Sequence, residues 1–181
     1  EKVKGTAEAL FHKWQKKCAE QLKKADFKSF RKNIRDLVDE FDHIDMSETM
    51  KLRIGLVGEI YVKFHPIANT HIVRMIEEEG GEIIVSGLAD FFFYGLLDDQ
   101  FRYKHLSGSW WNNFKSKSAV RLLEWYRKPY EQAVAKSRHF DSITSIYDIA
   151  DEAKKYLSLG HEAGEGWFLT GDMIDLIPRG A

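Results

Sequence analysis

The sequence holds one cysteine, Cys18, in 181 residues. A lone thiol cannot form an intrachain disulfide, and structural zinc or an iron–sulfur cluster takes several thiolates, so neither is expected on this chain; the cytosol is the default compartment. Surplus charge is absent as well. The formal net charge is -1 and the isoelectric point is about 6.7, whereas nucleic-acid binding needs a basic face that neutralises several phosphates. No apolar run reaches the ~18–20 residues of a membrane span. The opening residues, EKVKGTAEALFHKW, lack the apolar core and cleavage site of a signal peptide. No nucleic acid and no membrane are therefore expected as partners. The first residue is Glu1, not Met, and the last stretch is Ile174 to Ala181; the sequence reads as a mature chain or a piece excised from a longer protein.

Catalytic motifs are sparse too. Gly55 and Gly58 make a Gly-x-x-Gly, short of the dinucleotide fingerprint, and no P-loop lysine follows. His161-Glu162 begins like a zinc-protease helix, but Glu165 stands where the second histidine would be. No Gly-x-Ser-x-Gly elbow and no Cys–His pair occurs. His65, His71 and Glu59 have no recognised ligand spacing, so no metal site is assigned, and no catalytic residue can be named.

What is present is 44% hydrophobic content with 30% charge, an ordinary globular balance sufficient for a buried core. From Thr6 to Ala25, apolar residues at Ala7, Leu10, Phe11, Trp14, Cys18, Leu22 and Ala25 recur at helical spacing, leaving Lys13, Lys16, Lys17, Lys23 and Lys24 outside. Cys18 lies on the apolar stripe and reads as a core residue. Asp26 caps a second helix with the stripe Phe27, Phe30, Ile34, Leu37, Val38, Phe41 and Ile44. Residues 1–50 thus form an N-terminal helical hairpin, either covering one face of a sheet or standing as an arm.

Residues 51–181 are expected to form a Rossmann-like α/β domain with C-terminal helices. Leu52–Val57 and Glu82–Val85 are apolar runs of strand length on either side of a helix, His71–Glu79, capped by Asn69 or Thr70. The fold class is α/β, a βαβ unit with a small parallel sheet in a helix-rich chain. Leu52–Val57 is nearly continuous in apolar character, as for a strand covered on both faces. Ligands of open α/β sheets bind beyond the C-terminal ends of the strands, which directs attention to Gly58–Asn69 and Ser86–Gly95. The first exit, Glu59–Ala68, reads as an overlong loop. Four consecutive aromatics, Phe91 to Tyr94, cannot all enter one core from one helix face. Asp98–Ser109 reads as a polar loop. A long helix from Trp110 follows, with the stripe Ala119, Leu122, Leu123, Tyr126, Tyr130 and Val134, kinked or divided at Pro129. Ser145 opens a helix burying Ile149, Ala153, Tyr156 and Leu157 and ended by Gly160. Phe168 to about Ile177 form the last one.

The stretch Ile54-Gly-Leu-Val-Gly-Glu-Ile-Tyr-Val-Lys-Phe-His-Pro-Ile-Ala-Asn69, followed by Ile76-Glu-Glu-Glu-Gly80, Gly87-Leu88 and Asp90-Phe-Phe-Phe-Tyr94, resembles the 2-hydroxyacyl-CoA dehydratase superfamily, most closely its activase-related proteins. Gly160-His-Glu-Ala-Gly-Glu-Gly-Trp-Phe-Leu-Thr170 resembles a second signature of the same group. The resemblance covers residues 52–177. It implies a Rossmann-like domain of a larger protein that binds an iron–sulfur cluster and takes part in ATP-driven electron transfer to acyl-CoA dehydratases. The family's cysteine-bearing strand follows the position of Gly180, past the residues given, so no cluster ligand carries over, and His65 departs from the amide-like residue of the pattern. Gly58, Glu59, Tyr61, Asn69, Gly164, Glu165 and Gly166 are the cofactor-binding or cleft residues this reading selects, with an acyl-CoA or an electron-transfer protein as partner. An autonomous nucleotide- or CoA-binding protein using the loop after the first strand stays open, as does a scaffold that docks another subunit on Phe91–Tyr94. A sheet with an exposed edge leads to the expectation of a homodimer.

Overall fold

The computed structural model describes residues 1–24 and 26–181; Ala25, read above as part of the first helical stripe, lies outside them. Two compact units form, one from Glu1–Met50 with Leu123–Ile143, the other from Lys51–Leu122 with Thr144–Ala181. The sequence reading divided the chain once, at residue 50; residues 123–143 group by contact with the hairpin.

In the first unit α1 (Thr6–Leu22) packs on α2 (Phe27–Asp42). Trp14 Nε1 donates to Glu40 at 2.9 Å, Lys17 lies 3.9 Å from Asp36, and Asn33 Nδ2 donates to Gln21 at 2.6 Å. These partners descend one helix as they climb the other, so the pair is antiparallel. Trp14 and Val38 are the buried apolar residues of the two helices. Asp26 caps α2 by accepting from the Lys28 N–H at 2.9 Å. At its other end Asp42 accepts from Ser137 Oγ at 2.5 Å and from the Arg138 and His139 N–H groups at 2.8 and 3.1 Å. Those donors, the Ser137 hydroxyl first, hold its carboxyl at about 2.

The second unit carries the sheet. Strands β1 (Arg53–Leu56) and β2 (Glu82–Val85) are parallel, with Ile54 opposite Ile83 and Leu56 opposite Val85. The crossover contains α3 (Ile60–Phe64) and α4 (Ile72–Glu78); after β2 come α5 (Leu88–His105), α6 (Trp110–Val134), α7 (Ile146–Ala153) and α8 (Gly166–Leu176). The architecture is thus helix-rich mixed α/β with a small parallel sheet. Phe93, Tyr94 and Leu97 of α5, Val120 of α6, Ile146, Ile149, Ala150 and Ala153 of α7, and Trp167 and Phe168 of α8 make one core cluster. Helices α7 and α8 approach closely at Gly171, where an added Cβ would sit 2.5 Å from Ile149 Cγ2 and 2.9 Å from its carbonyl oxygen. Among the described residues no helix is long and apolar enough to cross a membrane.

Several local expectations are corrected. The loop Glu59–Ala68 contains α3, because Glu59 supplies a side-chain cap to its first turn. The caps assigned to Asn69 or Thr70 are absent: His71 occupies the cap position with φ 56°, and it makes no side-chain cap bond. Asp98–His105 is helical, not loop, since Asp98 accepts from Trp167 Nε1 and Asp99 from Ser116 Oγ, giving its polar side chains partners inside the unit. Of the stripe expected on α6, Val134 is buried and Ala119 half-buried, but Leu122, Leu123, Tyr126 and Tyr130 are exposed, while Asn113, Ser116 and Val120 are buried as well. Polar Ser116 can face α5 because Asp99 accepts its hydroxyl. Pro129 does not divide α6, which runs to Val134 with the proline inside it and forgoes one backbone N–H donor there. Helix α7 ends at Ala153, leaving Tyr156 exposed rather than buried, and α8 starts at Gly166. Of the four aromatics in a row, Phe93 and Tyr94 are buried and Phe92 is exposed. The first strand is shorter than expected and only half-buried, with Leu52 outside it and exposed.

Substituting Gly171→Ala should destabilise the protein by about 1–3 kcal/mol, as overpacking of a closed helix contact does. Urea unfolding checks this; an unchanged midpoint would mean that α7 and α8 do not approach at this point.

Candidate functional site

The residues after the two strands converge on a buried polar cluster. One turn into α3, Lys63 turns its side chain inward, where it is 3% exposed, and its Nζ donates to Ser86 Oγ at 2.5 Å and lies 3.1 Å from Asp172 Oδ2. Ser86, the first residue past β2, donates its own hydroxyl to the same carboxylate oxygen at 2.6 Å. Asp172 comes from α8 and its side chain is fully buried. Three segments far apart in the chain are therefore held by one ion pair and one hydroxyl.

An ammonium and a carboxylate removed from water repel burial strongly unless each keeps hydrogen-bond partners. Here satisfaction is incomplete. Asp172 Oδ1 is buried with no protein hydrogen-bond donor among the described residues, and Asn69 Oδ1, near α4 in sequence, shares that condition. Asn69 uses its amide to donate to the Lys63 carbonyl at 3.2 Å. The cluster is not built for nucleophilic attack: the Ser86 oxygen already accepts from the ammonium, and Lys63 is engaged by a carboxylate rather than poised as a free base.

Against this geometry the sequence-selected residues divide. Glu165 reaches the β1 exit, its Oε1 accepting from the Ile60 N–H at 3.2 Å. It does so from a left-handed backbone, φ 62°, following Gly164 at φ 64°; for a residue with a Cβ that conformation costs roughly 1–2 kcal/mol. Gly166 allows the turn to close, since a Cβ there would stand 2.9 Å from the His161 carbonyl oxygen. Asn69 also joins, through Lys63. Gly58 stands at the β1 exit in open space. Glu59 spends its carboxylate on the Tyr61 and Val62 N–H groups of its own helix. Tyr61 is 61% exposed and stacks on His65 with ring centroids 4.9 Å apart, away from the cluster.

Lys63, Ser86 and Asp172 were not selected from sequence. A signal existed for Asp172: Phe168, Asp172 and Leu176 follow at four-residue spacing and all three are buried, so a carboxylate occupies a core position of an apolar helix. A charge at such a position asks for a buried partner.

A second group of polar side chains adjoins α8. Trp167 Nε1 donates to Asp98 Oδ1 at 3.1 Å, Tyr94 O–H donates to the Glu162 carbonyl oxygen at 2.7 Å, and Arg102 pairs with Glu162 Oε2 at 2.6 Å. Burial, reinforced by the charge of Glu162, pushes the Asp98 carboxyl up to about 6. Burial likewise raises the Tyr94 phenol, with the Asp98 charge adding to it.

Among the described residues no group of three or more histidine, cysteine, aspartate or glutamate side chains could hold a metal ion. Cys18, the single thiol, lies in the helical hairpin and lines an apolar groove there, so the residues present do not fit an iron–sulfur cluster. No protein-family model, curated protein or solved structure matches the chain.

The raised Asp98 carboxyl sets a pH dependence. An ordinary aspartate titrates near 3.8, so between that value and about 6 the folded state holds the proton that the unfolded chain has lost. Stability should fall as pH rises through this window. Asp98→Asn, which keeps an oxygen to accept from Trp167, should flatten the dependence and raise the melting temperature at pH 7 to 8. Parallel melting curves of variant and parent across pH 4–8 would contradict the assignment.

Proposed function

We propose that the chain is a Rossmann-like α/β domain of an activase-related protein of the 2-hydroxyacyl-CoA dehydratase superfamily. In this reading it works in the cytosol, within an iron–sulfur-dependent, ATP-driven electron-transfer system, and contributes one side of an acyl-CoA-facing cleft without being catalytic by itself. The cluster belongs to another part of the parent protein.

One observation carries the reading. The two stretches that bear the resemblance, 54–69 and 160–170, are about a hundred residues apart in sequence, and the Glu165 carboxylate of the second accepts from the Ile60 N–H of the first. Their meeting lies at the C-terminal end of β1, the position at which open α/β sheets bind ligands. The absence of a free nucleophile at Ser86 agrees with a supporting role. Phe92, 61% exposed beside its buried neighbours Phe93 and Tyr94, favours a second reading in which this run docks another subunit. A homodimer covering one open edge of the two-stranded sheet belongs to the same proposal.

Calorimetric titration of the chain with CoA, an acyl-CoA and ATP tests the proposal. The expected result is no turnover and no binding in the micromolar range, with light scattering giving the mass of a dimer. Micromolar binding lost on Glu59→Ala would overturn it in favour of an autonomous nucleotide or CoA binder, and a monodisperse monomer at high concentration would remove the dimer.

A further inference from the structure

Trp14 and Trp167 are buried, as large aromatics of a folded chain usually are. Trp110 and Trp111, consecutive at the start of α6, are instead 52% and 61% exposed, and Phe114 one turn on is 54% exposed. The three rings touch one another. Trp111 meets Trp110 edge-on with centroids 4.5 Å apart, and Phe114 lies nearly parallel to Trp110 at 5.9 Å. Leu106, in the turn before the helix, and Leu122, farther along it, are exposed too. The opposite side of this stretch is fixed, since Asn113, Ser116 and Val120 are buried and Ser116 Oγ donates to Asp99. The turn into the helix is closed as well: the Gly108 N–H donates to the Arg102 carbonyl at 3.2 Å, and no room is left for a Cβ on Gly108 beside the Tyr103 nitrogen. The aromatic face is therefore held outward by what lies behind it.

Charge around these rings has one sign. Residues 100–122 hold five lysines and arginines and no aspartate or glutamate, in a chain whose 28 carboxylates outnumber its 27 lysines and arginines. Arg102 is taken up by Glu162. The other four, Lys104, Lys115, Lys117 and Arg121, are exposed and take part in no ion pair among the described residues. Three of them share the face of the rings: Trp110, Phe114, Lys117 and Arg121 follow at three- and four-residue spacing, and Trp111, Lys115 and Leu122 belong to the adjoining row. Aromatic rings thus lead the helix, and cations follow one to three turns behind.

We infer that the start of α6 docks on an anionic phospholipid surface, with Trp110, Trp111 and Phe114 entering the headgroup layer and Lys115, Lys117 and Arg121 on the lipid phosphates. Indole rings suit that layer because one molecule presents an apolar body and a polar N–H, and lysine stems lie along apolar surface while their ammonium groups stay with the phosphates. The cores of protein–protein interfaces are depleted in lysine, which disfavours a protein partner. A single-stranded nucleic acid would need free ring faces for its bases, whereas Trp110 already lies against Phe114 and Trp111, and the exposed Leu106 and Leu122 offer no stacking face. Surface docking requires no spanning segment. The expectation of no membrane partner rests on the lack of such a segment and on the charge of the whole chain, neither of which bears on one local patch. This inference is independent of the acyl-CoA cleft.

Cosedimentation of the whole chain with phosphatidylcholine vesicles, plain or containing phosphatidylserine, tests this, while far-UV circular dichroism verifies that each variant keeps the fold. Binding should be about tenfold or more tighter to the phosphatidylserine vesicles and should weaken as salt rises. Tryptophan emission should move to shorter wavelength on those vesicles. Replacing both exposed indoles, Trp110→Ser with Trp111→Ser, should remove that shift and weaken binding about tenfold or more. Lys115→Gln and Lys117→Gln should each weaken it about fivefold, the effect of one basic side chain at an anionic surface, whereas Lys16→Gln, at an exposed lysine of the other unit, should change nothing. Equal binding to plain vesicles, an unchanged affinity in the tryptophan variant, equal weakening by Lys16→Gln, or tighter binding of a single-stranded oligonucleotide than of the vesicles would each overturn the inference.

Discussion

The second unit depends on a salt bridge that has almost no water. Lys63, Ser86 and Asp172 come from the helix after β1, the end of β2 and the last helix, and their polar atoms meet within 2.5–3.1 Å. A sheet of two short strands has little independent stability. Tying both strand exits to α8 makes the sheet part of a larger body, in which the C-terminal residues also take part: the Arg53 guanidinium donates to the Arg179 carbonyl at 2.9 Å, and a Cβ on Gly55 would meet Leu176 and Ala181 at 3.1 and 3.2 Å. Buried ion pairs contribute little net stability relative to an apolar replacement, yet losing one partner leaves a charge stranded. The device therefore fixes geometry more than it adds stability.

Two other strains lie close in sequence to the same elements. Glu165 adopts a left-handed backbone to bring its carboxylate to Ile60, and Thr70 and His71 are consecutively left-handed at the entry to α4. Such conformations persist only where surrounding contacts determine them, and they concentrate at functional positions. Asp98, raised by burial beside Trp167, adds a proton-sensitive carboxyl to the opposite flank of α8. Helix α8 is thus the element that Lys63, through Asp172, and Asp98, through Trp167, both meet, and a ligand at the strand exits would meet a surface already held in position.

Much of this order is written in the local pattern. Helices α1 and α2 follow from their 3.6-residue stripes and the Asp26 cap, and the strands from short apolar runs on either side of a crossover. The approach of the Glu165 segment to the β1 exit was accessible only because both stretches stood out as motifs. What escaped has physical causes. Asp98–His105 reads as loop because its residues are polar, yet their partners, Trp167 and Ser116, lie 69 and 17 residues away. The buried residues of α6 include polar Asn113 and Ser116 beside Val120 and Val134, and for Ser116 the hydrogen bond to Asp99 substitutes for apolar character. Lys63 sits between exposed Val62 and Phe64, and nothing local announces that its charge turns inward toward an aspartate 109 residues on.

The central claim, that a buried Lys63–Asp172 pair holds the strand exits to the last helix, is tested most directly by a double-mutant cycle read by urea unfolding. Lys63→Met and Asp172→Leu should each destabilise by about 3–5 kcal/mol, because each strands the other's charge. The double variant should cost clearly less than the sum, with a coupling of about 0.5–3 kcal/mol. Additive losses, or single variants as stable as the parent, would contradict the account.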